Sequence, residues 1–219
     1  MSYSIIIPIH NEAKSIPSLI SSLEYFSQDN EILIVDDGST DQSALFLKEC
    51  SFITLISIPK NKGKGNAIQS GIKNASHEKI ILFDGDLEMD LREMEKGMIL
   101  NKNKNIDAVF GARVQVLNPF VSLLDFGNFF LNGIFNFIHQ KHFTDVLCGC
   151  KAFYKSDINL NSIQSYGFDI DVEIASILVK NNCNIMEFPI QFNRRSVEEG
   201  KKLKMSDGWI ILSRLLIPK

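Results

Sequence analysis

The chain predicts an α/β domain, with a mostly parallel sheet covered by helices on both faces. Short β-branched runs alternate with segments of helical period, and polar residues gather where each run ends. The 219 residues, 45% hydrophobic and 22% charged, also suffice for one sizeable core, so a single domain over 1–219 is expected.

The first run, SIIIPI at 4–9, ends in His10, Asn11 and Glu12 and is followed by a helical segment near 13–26. The second, at 31–35, ends in Asp36 and Asp37, and a helix near 41–49 follows. The third, at 52–58, leads through the loop 62–65 into a helix near 65–75. The fourth, at 79–83, delivers Asp84 and Asp86 before a helix near 91–101, and the fifth, at 107–111, is followed by Arg113. In an open α/β sheet the carboxyl ends of such strands face one crevice, where ligands bind.

The stretch FDGDLEMD sets Asp84, Asp86, Glu88 and Asp90 within seven positions. Carboxylates so close repel unless a cation sits among them, and oxygen ligands suit Mg²⁺ or Mn²⁺ on the phosphates of a nucleoside diphosphate. The plainer role, capping the helix that starts near Leu91, fits Asp90 best. Gly63-Lys64-Gly65 resembles part of a dinucleotide fingerprint, but the third small residue would fall at Ile68, and the loop lacks the ending of a P-loop. Lys64 then reads as a cation beside a diphosphate.

Bulk charge excludes other classes. A net charge of -3 gives nucleic-acid binding no support, and the local lysines at 60, 62, 64, 201, 202 and 204 read as solvated loops. Cys50, Cys148, Cys150 and Cys183 have no paired zinc spacing and are expected as reduced thiols. The first residues lack a signal peptide's basic region, so cytoplasmic residence is expected.

Eight motifs stand in order: IIIPIHNE (5–12), IVDDGSTD (34–41), NKGKGNAIQSGIKNA (61–75), FDGDLEMD (83–90), FGAR (110–113), DVLCGCKAF (145–153), GFDIDVEI (167–174) and EFPIQFNRR (187–195). Together they resemble glycosyltransferase family 2, of GT-A (Rossmann-like) fold, in its dolichyl- and polyprenyl-phosphate branch. The resemblance implies an inverting, metal-dependent hexosyltransferase with a UDP- or GDP-sugar donor. It places Pro8, Glu12 and Asp37 at the nucleotide, Lys64 at the donor, Asp84 and Asp86 as the DxD metal motif, and Glu88 as a further metal ligand where the family often has Gln. It also places Arg113 and Arg195 on donor or acceptor phosphates. An ionised lipid-phosphate acceptor needs no general base; for a sugar hydroxyl acceptor, as in polysaccharide synthesis, Asp145 is the candidate. The chain departs from the family at His10, where Tyr or Phe is common, and in having no arginine between Arg113 and Lys141. A catalytically idle binding partner would be expected to lack the acids or Arg195.

Arg195 follows the apolar strand EFPI and adjoins Arg194, of which one is expected to be a surface charge. The stretch 118–138 reads as a helix opened by Asn118-Pro119, with Phe120, Leu123, Leu124, Phe130, Leu131, Ile134, Phe135 and Ile138 on one face. Asp125, Asn128, Asn132 and Asn136 interrupt it, so it is not expected to span a bilayer. Its two readings are an interfacial helix, helped by the apolar segment 209–217 in peripheral membrane association, and a helix buried in the domain or a homodimer.

Overall fold

The computed structural model describes residues 2–113, 122–195, 202 and 205–216. One seven-stranded sheet runs through them in the order β3-β2-β1-β4-β6-β5-β7. β1 (Ser4–Ile9), β2 (Glu31–Asp37), β3 (Thr54–Ile58) and β4 (Lys79–Leu82) are mutually parallel. β6 (Lys151–Tyr154) is inserted antiparallel between β4 and β5 (Ala108–Arg113), and β7 (Ile185–Ile190) pairs parallel with β5. Pro189 lies in β7, an edge strand, where its missing N–H costs no interior ladder bond. β2 runs two residues further than expected, so Asp36 and Asp37 are its buried last residues.

Strand alternation sorts the core onto two faces. Ile5, Ile7 and Ile9 pack with α1 (Ile16–Phe26) and α2 (Ser43–Lys48), while Ile6, Leu33 and Val35 pack with α3 (Lys64–Asn74), α4 (Leu123–His139), α5 (Ile170–Lys180) and α6 (Met205–Leu216). The helix expected near 91–101 is instead a 3₁₀ segment, Leu91–Gly97. Its buried residues are Leu91, Met94 and Gly97, a repeat of three that suits three residues per turn. Asp90 caps it by accepting the Arg92 backbone N–H at 2.9 Å, which fulfils the plainer role expected of that acid.

α4 bears out a helix but corrects its expected face. Its N-cap is Ser122, and the expected start at Asn118-Pro119 lies outside the described residues, as does Phe120. Leu131 and Phe135 are buried in the core, Phe135 at 0% exposure, whereas Phe130 (52%) and Phe137 (86%) face outward with Leu123 and Phe126. The asparagines also have a structural task. Asn132 and Asn136 each donate to the carbonyl of Phe143 at 2.8 Å, and Asn132 Oδ1 accepts the Val146 N–H at 3.0 Å, so α4 grips the segment 143–146. No helix among the described residues is long and apolar enough to cross a membrane.

Candidate active site

Because every strand but β6 points the same way, their carboxyl ends open on one edge, and β6 begins there with Lys151. A cleft of about 640 Å³ occupies that edge. Nine of the ten residues singled out from the sequence line it: Pro8, Glu12, Asp37, Lys64, Asp84, Asp86, Glu88, Arg113 and Arg195. Asp145 does not.

The loop after β3 is shaped from below. Asp37 accepts the backbone N–H groups of Lys62 (2.9 Å) and Gly63 (2.7 Å), fixing the turn that opens α3. Gly63 has φ +99°, and a Cβ there would stand 2.3 Å from the carbonyl oxygen of Tyr166, so glycine is required twice over. The turn sends Lys64 between Asp84 at 2.7 Å and Asp171 at 3.0 Å. Burial works against the ammonium, but the two carboxylates outweigh it and hold Lys64 protonated well above the usual lysine range.

The acids after β4 form a tight turn. Leu87 adopts φ +59°, a left-handed conformation costing roughly 1–2 kcal/mol for a side chain of this kind. Asp86 Oδ1 thereby accepts the Glu88 N–H at 3.0 Å, and Glu88 accepts the backbone N–H of Arg195 at 2.8 Å. Burial, followed by the charges of Asp84 and Glu88, pushes the Asp86 carboxyl up to about 7. Behind Asp84 lies Gly149, where a Cβ would come within 2.1 Å of the carboxylate, so the glycine of the CGC stretch makes room for the first acid.

Three arginines are held by three acids. Arg195 reaches Glu12 at 2.9 Å and stands 3.7 Å from Asp86; Lys202 also bonds Glu12. Burial alone would raise Glu12, but those two cations outweigh it and hold the carboxyl below its usual range. Arg195 Nε is buried without a hydrogen-bond partner among the described residues. Arg194 is not a surface charge: it donates to Asp125 and to Ser122 Oγ, tying the segment after β7 to the start of α4. Arg113 grips Asp145 through Nε (2.6 Å) and Nη2 (2.9 Å). Asp145 is 1% exposed and also accepts the Arg113 backbone N–H at 3.2 Å.

The sequence reading missed Asp171, Lys151, Gly149 and Lys202, although the first three fall within quoted motifs. Their signal was a charged or flexible residue set in an otherwise apolar motif. The donor set fits a hard divalent ion. Among the described residues no three acidic, histidine or cysteine side chains could enclose a metal by themselves, but Mg²⁺ typically takes one or two carboxylates and completes its shell with substrate phosphates and water. Asp84 and Asp86 offer those carboxylates, and the Asp86 carboxyl, raised first by burial and then by Asp84 and Glu88, stands where a cation would relieve the neighbouring charges.

The family model "Glycosyl transferase family 2" matches residues 4–159. A UDP-N-acetylglucosamine–dolichyl-phosphate N-acetylglucosaminyltransferase of Methanococcus voltae is 28% identical, covering 98% of this chain and 95% of that protein. A dolichyl-phosphate beta-glucosyltransferase of Homo sapiens is 28% identical over 98% of this chain and 73% of its own length. Among solved structures, glucosyl-3-phosphoglycerate synthase from Mycobacterium tuberculosis, in complex with Mn²⁺, UDP-glucose and phosphoglyceric acid, superposes with a TM-score of 0.71 at 17% identity. That match covers 100% of this chain and 81% of the other, and it shows the shared GT-A fold.

Proposed function

We propose, because the chain belongs to glycosyl transferase family 2, that this glycosyltransferase moves a sugar from a UDP- or GDP-sugar to the phosphate of a polyprenyl- or dolichyl-type lipid. One observation carries the reading: one cleft sets the acids Asp84, Asp86 and Glu88 beside Lys64 and Arg195, and α4 lends it Leu124 and Asn128 while exposing Leu123, Phe126, Phe130 and Phe137 elsewhere on its surface. A nucleoside diphosphate suits the first part, and a lipid phosphate arriving along an apolar surface suits the second. The names of the archaeal and human relatives support the lipid acceptor.

Asp84 and Asp86, with Glu88 beside them, would hold Mg²⁺ or Mn²⁺, which supplies positive charge to the departing diphosphate. Pro8, Glu12 and Asp37 border the nucleotide, Asp37 by shaping the 62–63 turn. Lys64 and Arg195 orient the diphosphate and counter the charge that grows as it leaves, which favours the transition state over the ground state. Arg113, whose guanidinium lies 5.2 Å over the Phe192 ring, fixes the acceptor phosphate for in-line attack with inversion. An ionised phosphate needs no proton removed. Asp145 is accordingly a holder of Arg113 rather than a base, because both its oxygens are engaged by that guanidinium. A sugar hydroxyl acceptor would need a base elsewhere.

Trp209 and Ile210 are exposed on α6, a helix packed against α4, which supports peripheral docking on a membrane that carries the acceptor. The test is transfer of labelled sugar from a panel of UDP- and GDP-sugars to vesicles containing dolichyl or undecaprenyl phosphate, with Mg²⁺ or Mn²⁺. Label in the organic phase is expected. Label appearing only in water-soluble saccharides would overturn the lipid acceptor, and no transfer from any donor would overturn the whole reading.

A further inference from the structure

Lys151 has no part in the chemistry above, yet it is a lysine with 0% exposure at the first position of β6. Burying an ammonium is costly unless charge and hydrogen bonds offset it. Its Nζ donates to the carbonyl of Cys148 and lies 5.2 Å over the Phe110 ring. Its carboxylate neighbour is Asp171, with Oδ1 3.9 Å away; that oxygen is buried and accepts no hydrogen bond among the described residues. The other oxygen of Asp171 takes Lys64, which takes Asp84. A line of alternating charge therefore runs from the core to the cleft: Lys151, Asp171, Lys64, Asp84.

We infer that Lys151 is a positioning residue for donor binding: its buried charge offsets Asp171, so that Lys64 presents its own charge to a diphosphate rather than having it neutralised from behind. The inference rests on the proposed reading that Lys64 faces a diphosphate. Without Lys151, one carboxylate would hold Lys64 alone and draw it from the cleft. With Lys151 present, the pair Lys151–Asp171 is neutral and Lys64 stays beside Asp84 at the cleft, where a diphosphate can share its charge. A buried charge about 10 Å from a diphosphate, at an effective dielectric of about 20, changes binding by roughly tenfold.

The test compares Lys151→Met, Asp171→Asn and the double variant by calorimetric titration with UDP, GDP and inorganic pyrophosphate in MnCl₂. Lys151→Met is expected to weaken binding about tenfold, and the double variant, in which the buried pair is neutral again, to return to within about threefold of wild type. A folded Lys151→Met protein that binds like wild type, or a double variant weaker than Lys151→Met, overturns the inference. A second measurement needs no ligand. In urea unfolding, Lys64→Met with Lys151→Met strands Asp171 in the core, so the loss is expected to exceed the sum of the single losses and to be relieved by adding Asp171→Asn. Additive losses overturn the inference. Should wild type bind neither nucleotide, the donor reading fails and takes the role in donor binding with it, while the unfolding cycle still decides whether Lys151 offsets Asp171.

Discussion

Asp145→Asn separates a structural carboxylate from a catalytic one. In the native protein Asp145 is 1% exposed and accepts Arg113 through two side-chain bonds at 2.6 and 2.9 Å, with the Arg113 backbone N–H as a third donor. Asparagine keeps the shape but removes the charge and turns one acceptor into a donor facing a guanidinium. Breaking a buried pair by removing one partner costs about 3–5 kcal/mol; because an amide oxygen can still accept one of the bonds, the lower end, about 3 kcal/mol, is expected. For a chain of this length that corresponds to a fall in Tm of about 6–12 °C. The assay is thermal unfolding by circular dichroism, paired with turnover measured well below the new midpoint. The reasoning is refuted if Tm moves by less than about 2 °C while turnover falls a hundredfold or more, since general-base catalysis contributes about that much.

Arg194→Ala is expected to lower Tm by about 4–8 °C, because it leaves the buried Asp125 without its guanidinium, whereas Arg195→Ala loses chiefly kcat/KM; a reversed ranking would place the phosphate ligand at Arg194. Phe130→Glu with Phe137→Glu is expected to weaken flotation with anionic vesicles and leave the circular dichroism spectrum unchanged, while Phe135→Glu, at a fully buried site, unfolds the protein; wild type that never floats would make the apolar surface of α4 an interface with another copy. Tyr3 supplies a pH dependence. Burial, joined by the charge of Tyr154, raises its hydroxyl from 10 to about 12, so the folded state favours the neutral phenol. The resulting stability is complete below pH 10 and is lost as pH rises through 12, by up to about 3 kcal/mol. Urea unfolding of wild type and Tyr3→Phe at pH 9 and 11.5 checks this: the variant should lose less stability over that interval, and equal losses would contradict the assignment.

The five parallel strands with β-branched runs were readable because each run is continuous and ends in polar residues, as at Ile5–Glu12 and Ile80–Asp86. β6 was not. It has four residues, begins with a lysine, and owes its place between β4 and β5 to antiparallel pairing that leaves no local periodicity. In α4 the helical period was visible, but aromatic residues occupy both sides, so spacing alone could not tell buried Phe135 from exposed Phe130. The cleft residues were readable where a polar residue directly follows a strand. Asp145 read as a candidate base in the sequence, and only the tertiary approach of Arg113 shows it to be a sealed carboxylate rather than one that lines the cleft. Arg194 failed for the same reason: its partner Asp125 lies 69 residues away.

Metal-dependent nucleotide binding at Asp86 is measured by calorimetric titration of UDP and of GDP into wild type and Asp86→Asn, with MnCl₂ and again with EDTA. One nucleotide is expected to bind wild type with Mn²⁺, and to bind at least about tenfold more weakly both in EDTA and to the Asp86→Asn protein, because the same carboxylate carries the metal's contribution. A nucleotide that binds equally well in all four conditions, or two nucleotides that bind in none, would contradict it.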